Sequence, residues 1–125
     1  MTKLVIFDWN GTLFSDTRAC FDADNHILEV FGGKKVSLKE YRDTIIIPGN
    51  DFYVKHGVNR DRLVRESKKI GEIFHGFYEP RAAKCRLRAG AKKLLEGLQK
   101  QQIQSIILSN LTIVGIDKHL DRLKI

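Results

Sequence analysis

At 125 residues the chain carries 22 Lys and Arg against 15 Asp and Glu, a net charge of +7. With 42% apolar and 30% charged residues it has an ordinary globular composition, which excludes a disordered or fibrous protein and suits one domain. No stretch approaches the roughly 18 consecutive apolar residues of a membrane span, the apolar run after Met1-Thr2-Lys3 is too short for a signal peptide, and Cys20 and Cys85 are too few for a disulfide framework or a zinc site. Reduced, buried thiols and a cytoplasmic location are expected.

Leu4-Val5-Ile6-Phe7 is a short apolar run without polar alternation, the pattern of a strand buried on both faces at the centre of a parallel sheet. Ala19, Cys20, Ala23, Ile27, Val30 and Phe31 then recur at helical spacing and stop at Gly32-Gly33, a C-terminal cap. Ser37 with Glu40 three residues on forms a capping box that opens a short helix, and Ile45-Ile46-Ile47-Pro48-Gly49 breaks it. From Arg60 onward Leu63, Val64, Ile70, Ile73, Phe74 and Phe77 give one long amphipathic stripe ending before Pro80. Ala91, Leu94, Leu95 and Leu98 mark a further helix, Gln104–Leu108 a second buried strand, and 112–125 a last helix. Strand, helices, helix and strand in this order predict an α/β layer with a helical insertion from about 16 to 80.

The positive charge is concentrated late in the chain. Residues 86–125 hold eight basic side chains against three acidic ones, and no acid interrupts Arg81, Lys84, Arg86, Arg88, Lys92 and Lys93. Such a run suits a polyanion or a small anionic substrate, or is simply a solvated helix start. No aromatic residue interleaves with it, so stacking on single-stranded nucleic acid has no support and no nucleic-acid partner is expected.

The informative segment is Leu4-Val5-Ile6-Phe7-Asp8-Trp9-Asn10-Gly11-Thr12-Leu13. Asn-Gly between apolar runs is a strong hairpin signal. Yet residues 4–7 do not alternate, and the chain turns polar and helical within three positions of Thr12, leaving no matching second strand. The other reading is a strand whose carboxyl end delivers Asp8 into a crevice, where open α/β sheets bind ligands. Gly11 then permits a tight turn and leaves room for an oxyanion.

These residues resemble the haloacid dehalogenase-like hydrolases, whose first motif is a hydrophobic strand followed by DxDGT. Phe7-Asp8-Trp9-Asn10-Gly11-Thr12-Leu13-Phe14 matches it at every defining position but one, and Ile106-Ile107-Leu108-Ser109-Asn110 is similar to the second motif. The resemblance spans the chain. It implies a Rossmann-like core with a parallel sheet, from residues 1–15 and 81–125, interrupted by a helical cap over 16–80. It also implies a Mg²⁺-dependent phosphohydrolase acting on a small phosphorylated metabolite, similar to the phosphoglycolate phosphatases. Asp8 would be the nucleophile and form an aspartyl-phosphate. Asp8 and the backbone carbonyl of Asn10 would hold Mg²⁺ between two anions. Ser109 would bind phosphoryl oxygens through its hydroxyl, with backbone N–H groups around Gly11 and Asn110, and Thr12 would support the motif.

Two departures from the family stand out. Asn10 occupies the position of the acid/base Asp; its amide can orient a leaving group or a water but cannot shuttle a proton, a loss of about 10²–10⁴-fold in rate. Nothing after Asn110 supplies the third-motif Lys or the fourth-motif acids. A weakly active or non-catalytic binding module on the same scaffold is therefore the alternative. The apolar ending Leu123-Lys124-Ile125 leads us to expect the N-terminal part of a longer protein, whose open sheet a second copy or strand exchange would cover. His26, His56, His75 and His119 lack metal-ligand spacing and are expected to be structural or solvated. Trp9 is expected to pack against core or cap, and Arg42, Asn50, Lys55 and His56 to face solvent rather than substrate.

Overall fold

The structure, a computed structural model, describes residues 3–125; the reading of Met1-Thr2 as a leaderless start lies outside them. The chain divides into two compact units, residues 1–17 with 83–125, and residues 18–82. In chain order the elements are β1 (Leu4–Phe7), α1 (Thr17–Val30), α2 (Leu38–Thr44), α3 (Gly49–Lys55), α4 (Arg60–Arg65), α5 (Ser67–Ala82), α6 (Ala91–Lys100), β2 (Gln104–Ile107) and α7 (Ile113–Leu123).

The first unit is α/β and Rossmann-like. β1 and β2 pair in parallel with Leu4 opposite Gln104 and Ile6 opposite Ile106. The expectation of strands buried on both faces is corrected here: Leu4, Ile6, Ile106 and Leu108 are 49%, 56%, 41% and 69% exposed. In the described residues the sheet has two strands, and α6 and α7 flank only the side of Phe7 and Ile107. An open groove of about 870 Å³ runs over that side, lined by Leu95, Ile103, Ile107, Ile116 and Leu120. It contains none of the residues in which the sequence places chemistry.

The second unit is helical around a core in which Ile27, Leu28, Phe52 and Leu63 are fully buried. Thirteen residues of α1 lie in this unit, and at its end Gly32 takes the left-handed conformation (φ +79°). Gly33 is needed for a different reason: a Cβ there would lie 2.9 Å from the His56 carbonyl oxygen. Ser37 Oγ accepts from Glu40 N–H at 3.1 Å, as the capping box requires. The local structure differs from expectation in several places. The stripe from Arg60 is split by Glu66 (φ −107°) into α4 and α5, α3 was not foreseen, and Val30 and Val64 are exposed. Pro80 lies inside the last turn of α5 rather than beyond it. Cys20 and Cys85 are half-buried rather than buried.

Polar groups in this core are paired, as burial demands. Asn25 bonds both the N–H and the carbonyl of Val36, at 2.8 and 2.9 Å. Asp24 accepts from Tyr41 Oη at 2.7 Å and from Tyr53 Oη at 2.6 Å, tying α1 to α2 and α3. Burial raises the Asp24 pKa above its ordinary 3.8, and the two tyrosine bonds only partly oppose it. Burial and the Asp24 charge push both tyrosines far up, so each remains a donor. A raised carboxyl means that the folded chain keeps its proton to higher pH than the unfolded one. This contribution is therefore full below 3.8 and is lost as pH rises through the raised value. Urea unfolding between pH 4 and 8 is expected to show wild type losing stability relative to Asp24→Asn as pH rises; a pH-independent difference would contradict this.

Candidate active site

The site grows out of the parallel pair. Leu108 N–H donates to the Phe7 carbonyl at 2.8 Å, so the next residues, Asp8 and Ser109, leave the carboxyl ends of adjacent strands. The chain after β1 turns through Thr12 N–H to the Trp9 carbonyl (3.1 Å), with Gly11 left-handed at φ +71°. A Cβ on Gly11 would meet Thr17 Oγ1 at 3.0 Å, so the turn and the start of α1 both favour glycine. The hairpin reading fails because β1 pairs with β2, 100 residues later, and residues 13–15 instead run antiparallel to 86–88. Ser15 N–H bonds the Arg86 carbonyl and Arg88 N–H the Leu13 carbonyl, at 2.9 and 2.8 Å.

Asp8 is exposed, and its two oxygens are oriented from within the loop. Oδ1 accepts from Trp9 N–H at 2.8 Å and Oδ2 from Thr12 Oγ1 at 3.2 Å. Trp9 is 0% exposed; it stacks on Phe14 at 5.1 Å and donates Nε1–H to His119 Nδ1 at 3.2 Å. His119 in turn stacks on Phe14 at 4.5 Å. Three buried rings thus anchor the loop to α7, and His119 is structural, with its Nδ1 an acceptor. His26 stacks on Phe77, His56 packs against Phe52, and His75 lies 3.5 Å from Glu79. Arg42 and Lys55 are exposed, while Asn50 and His56 are half-buried.

The structure brings Asn10 and Ser109 together, with Ser109 Oγ donating to Asn10 Oδ1 at 3.2 Å and accepting from Leu111 N–H at 3.1 Å. Asn110 follows, exposed. One expectation changes: Gly11 N–H, assigned to a phosphate, points into its own loop, at 2.8 Å from Asp16 Oδ1 and 2.9 Å from the Phe14 carbonyl. Sequence reasoning missed two residues. Asp16, 0% exposed, also accepts from Asn10 Nδ2 at 2.6 Å, and Arg88 Nη2 donates to the Gly11 carbonyl at 2.8 Å. An ionisable side chain two residues after the apolar Leu13-Phe14 is the available signal for Asp16; it reads equally well as a helix start. Burial, with the Asp16 charge adding, raises the Cys85 thiol, which disfavours it as a nucleophile.

The donor set suits a hard cation in kind. Asp8 offers an exposed carboxylate and Asn10 a neighbouring backbone carbonyl, both oxygens, and Mg²⁺ is often held by one or two carboxylates with waters and phosphate filling its shell. Among the described residues no group of three or more His, Cys, Asp or Glu could hold a metal. No helix among them is long and apolar enough to cross a membrane.

A carboxylate and a hydroxyl leaving the carboxyl ends of adjacent parallel strands place the candidate site where Rossmann-like α/β proteins bind their ligands. The sequence profile of the haloacid dehalogenase-like hydrolases matches residues 5–125, and the chain belongs to that family. Solved structures share the fold. A hydrolase from Pseudomonas syringae is 22% identical with a TM-score of 0.76 over 100% of this chain and 56% of its own. A haloacid dehalogenase-like family hydrolase from Streptococcus pneumoniae is 16% identical (TM-score 0.79; 98% of this chain, 56% of its own). A protein described as a predicted phosphoglycolate phosphatase from Haemophilus somnus is 20% identical (TM-score 0.70; 96% and 56%). The chain thus spans little more than half the length of these structures. No curated protein matches it.

Proposed function

We propose that this chain carries the nucleophile-bearing part of a Mg²⁺-dependent phosphohydrolase for a small phosphorylated metabolite. The observation that supports it most is the exposed Asp8 carboxylate, oriented by Trp9 N–H and Thr12 Oγ1 where β1 ends, with Ser109 just beyond the end of the paired strand β2. In this reading an Asp8 oxygen attacks phosphorus while the bond from phosphorus to the ester oxygen breaks, giving an aspartyl-phosphate and the free alcohol. Asn10 orients the departing oxygen by hydrogen bonding, and the proton comes from water. A second water then attacks phosphorus, releasing inorganic phosphate and restoring Asp8. A bound Mg²⁺, held by Asp8 and the Asn10 carbonyl, would neutralise the charge gathered between carboxylate and phosphate. The phosphoglycolate phosphatase-like neighbour suggests a small acidic phosphate ester, and the helical residues 18–82, inserted between the two site segments, are assigned to substrate selection.

The second reading, a phosphate-binding module with little turnover, draws on Asn10 and Ser109, whose polar groups are engaged with Asp16, Leu111 and each other. Hydrolysis of an aryl phosphate separates the two. Turnover that stops with a chelator and returns with Mg²⁺ upholds the hydrolase; binding of inorganic phosphate without turnover upholds the module.

A further inference from the structure

Asp16 is a wholly buried carboxylate with two bonds to the site loop, and neither the motif nor the reaction outlined above uses it. Its Oδ1 accepts from Gly11 N–H and its Oδ2 from Asn10 Nδ2. The second bond fixes the orientation of the Asn10 amide, because only the nitrogen end can face a carboxylate. The oxygen end is thereby presented to Ser109 Oγ at 3.2 Å. One buried carboxylate thus determines what the side chain at position 10 shows to Ser109.

We propose that Asp16 is a positioning residue that requires an amide at position 10, so that the proton-transfer character of the site is set by residues 10 and 16 as a pair. The bond of 2.6 Å needs a donor at position 10. A carboxylate there has no hydrogen to give, and it would place two anions in contact where Asp16 has no access to water to relieve them. Asn10→Asp alone therefore loosens the loop instead of creating a working acid. Reversing the pair, with Asn10→Asp and Asp16→Asn together, conserves the bonds described above among residues 10, 11, 16 and 109. The amide at 16 donates from Nδ2 to the carboxylate at 10 and still accepts Gly11 N–H through Oδ1. The carboxylate at 10 then accepts from Ser109 Oγ.

Four proteins test the pair: wild type, Asn10→Asp, Asp16→Asn and the reversed double variant, compared by thermal unfolding at one neutral pH and by Mg²⁺-dependent aryl phosphate hydrolysis. Asn10→Asp is expected to lose on the order of 5 °C or more in Tm, a shift readable in a domain of this size. The reversed variant is expected to recover at least half of that loss, whereas a residue that only fills space at position 16 gives losses that add. The activity arm rests on the hydrolase reading: the reversed variant should exceed wild type by about 10²-fold, the low end of acid–base assistance, and Asn10→Asp alone should not. Additive stability losses overturn the pair whatever the turnover, as does Asn10→Asp matching the reversed variant in activity. Recovered stability without turnover in any of the four upholds the pair and counts against the hydrolase reading.

Discussion

Asp8→Asn is expected to lower Mg²⁺-dependent phosphate ester hydrolysis by at least about 10³-fold, the scale on which loss of a covalent nucleophile acts. The amide is nearly isosteric with the carboxylate. Its oxygen can still accept Trp9 N–H, the bond that Asp8 Oδ1 makes at 2.8 Å, so the loop should hold its shape. An amide is neither anionic nor nucleophilic enough to attack phosphorus, and it offers a weaker ligand to a hard cation. Kinetics and thermal unfolding measured on the same preparation separate the two effects: kcat/KM collapses while Tm stays near that of wild type. Retained turnover in Asp8→Asn would contradict the assignment.

Trp9→Ala should have the largest effect on stability. The indole is 0% exposed, stacks on Phe14 at 5.1 Å and bonds His119. Its removal empties the contact between the site loop and α7 and should cost about 3–5 kcal/mol. Trp9→Phe keeps a ring against Phe14 and loses the indole N–H, which leaves His119 Nδ1 without that donor; about 1–3 kcal/mol is expected. Urea unfolding of both variants checks the ordering. Equal losses in the two would show that the hydrogen bond, not the packing, dominates. Trp9 directly follows Asp8, so displacement of this ring also moves the backbone N–H that orients the Asp8 carboxylate.

The parts of this molecule that were legible in the sequence are those written locally. The run Leu4–Phe7, the following Asp8 and the Ser109-Asn110 pair after Ile106-Ile107-Leu108 are contiguous signals, and the structure puts both segments at the ends of paired strands. Ser37 with Glu40 was equally direct, because a cap is formed by residues three apart. Burial was not legible in the same way. Leu4 and Ile6 look like the core of a sheet, but whether a strand is covered depends on elements distant in the chain, and among the described residues one sheet face carries no helix. The stripe from Arg60 read as one helix because periodicity passes unchanged across the single non-helical residue Glu66. Asp16 and Asp24 escaped notice for a common reason. Asp16 stands just before a helix and Asp24 within one, both places where a charge ordinarily faces water, and tertiary partners, among them Asn10 and Gly11 for one and Tyr41 and Tyr53 for the other, make burial tolerable.

Arg88 shows how composition misleads about role. It belongs to the basic run that suggested a polyanion, yet its guanidinium holds the Gly11 carbonyl at 2.8 Å and so braces the site loop from the second segment of the unit. Together, Arg88, Asp16 and the rings of Trp9, Phe14 and His119 fix the short stretch between Asp8 and Thr17 from three directions. That degree of support is what a site must have if one carboxylate oxygen is to meet phosphorus in line.

The most direct test of the central claim is to locate the phosphoryl group itself. The protein is mixed with Mg²⁺ and an aryl phosphate, quenched in acid, digested and examined by mass spectrometry. A phosphoryl adduct on Asp8, removed by hydroxylamine as an acyl phosphate should be and missing from Asp8→Asn, is the predicted result. Hydrolysis that proceeds with the adduct on another residue, or undiminished in Asp8→Asn, would contradict it.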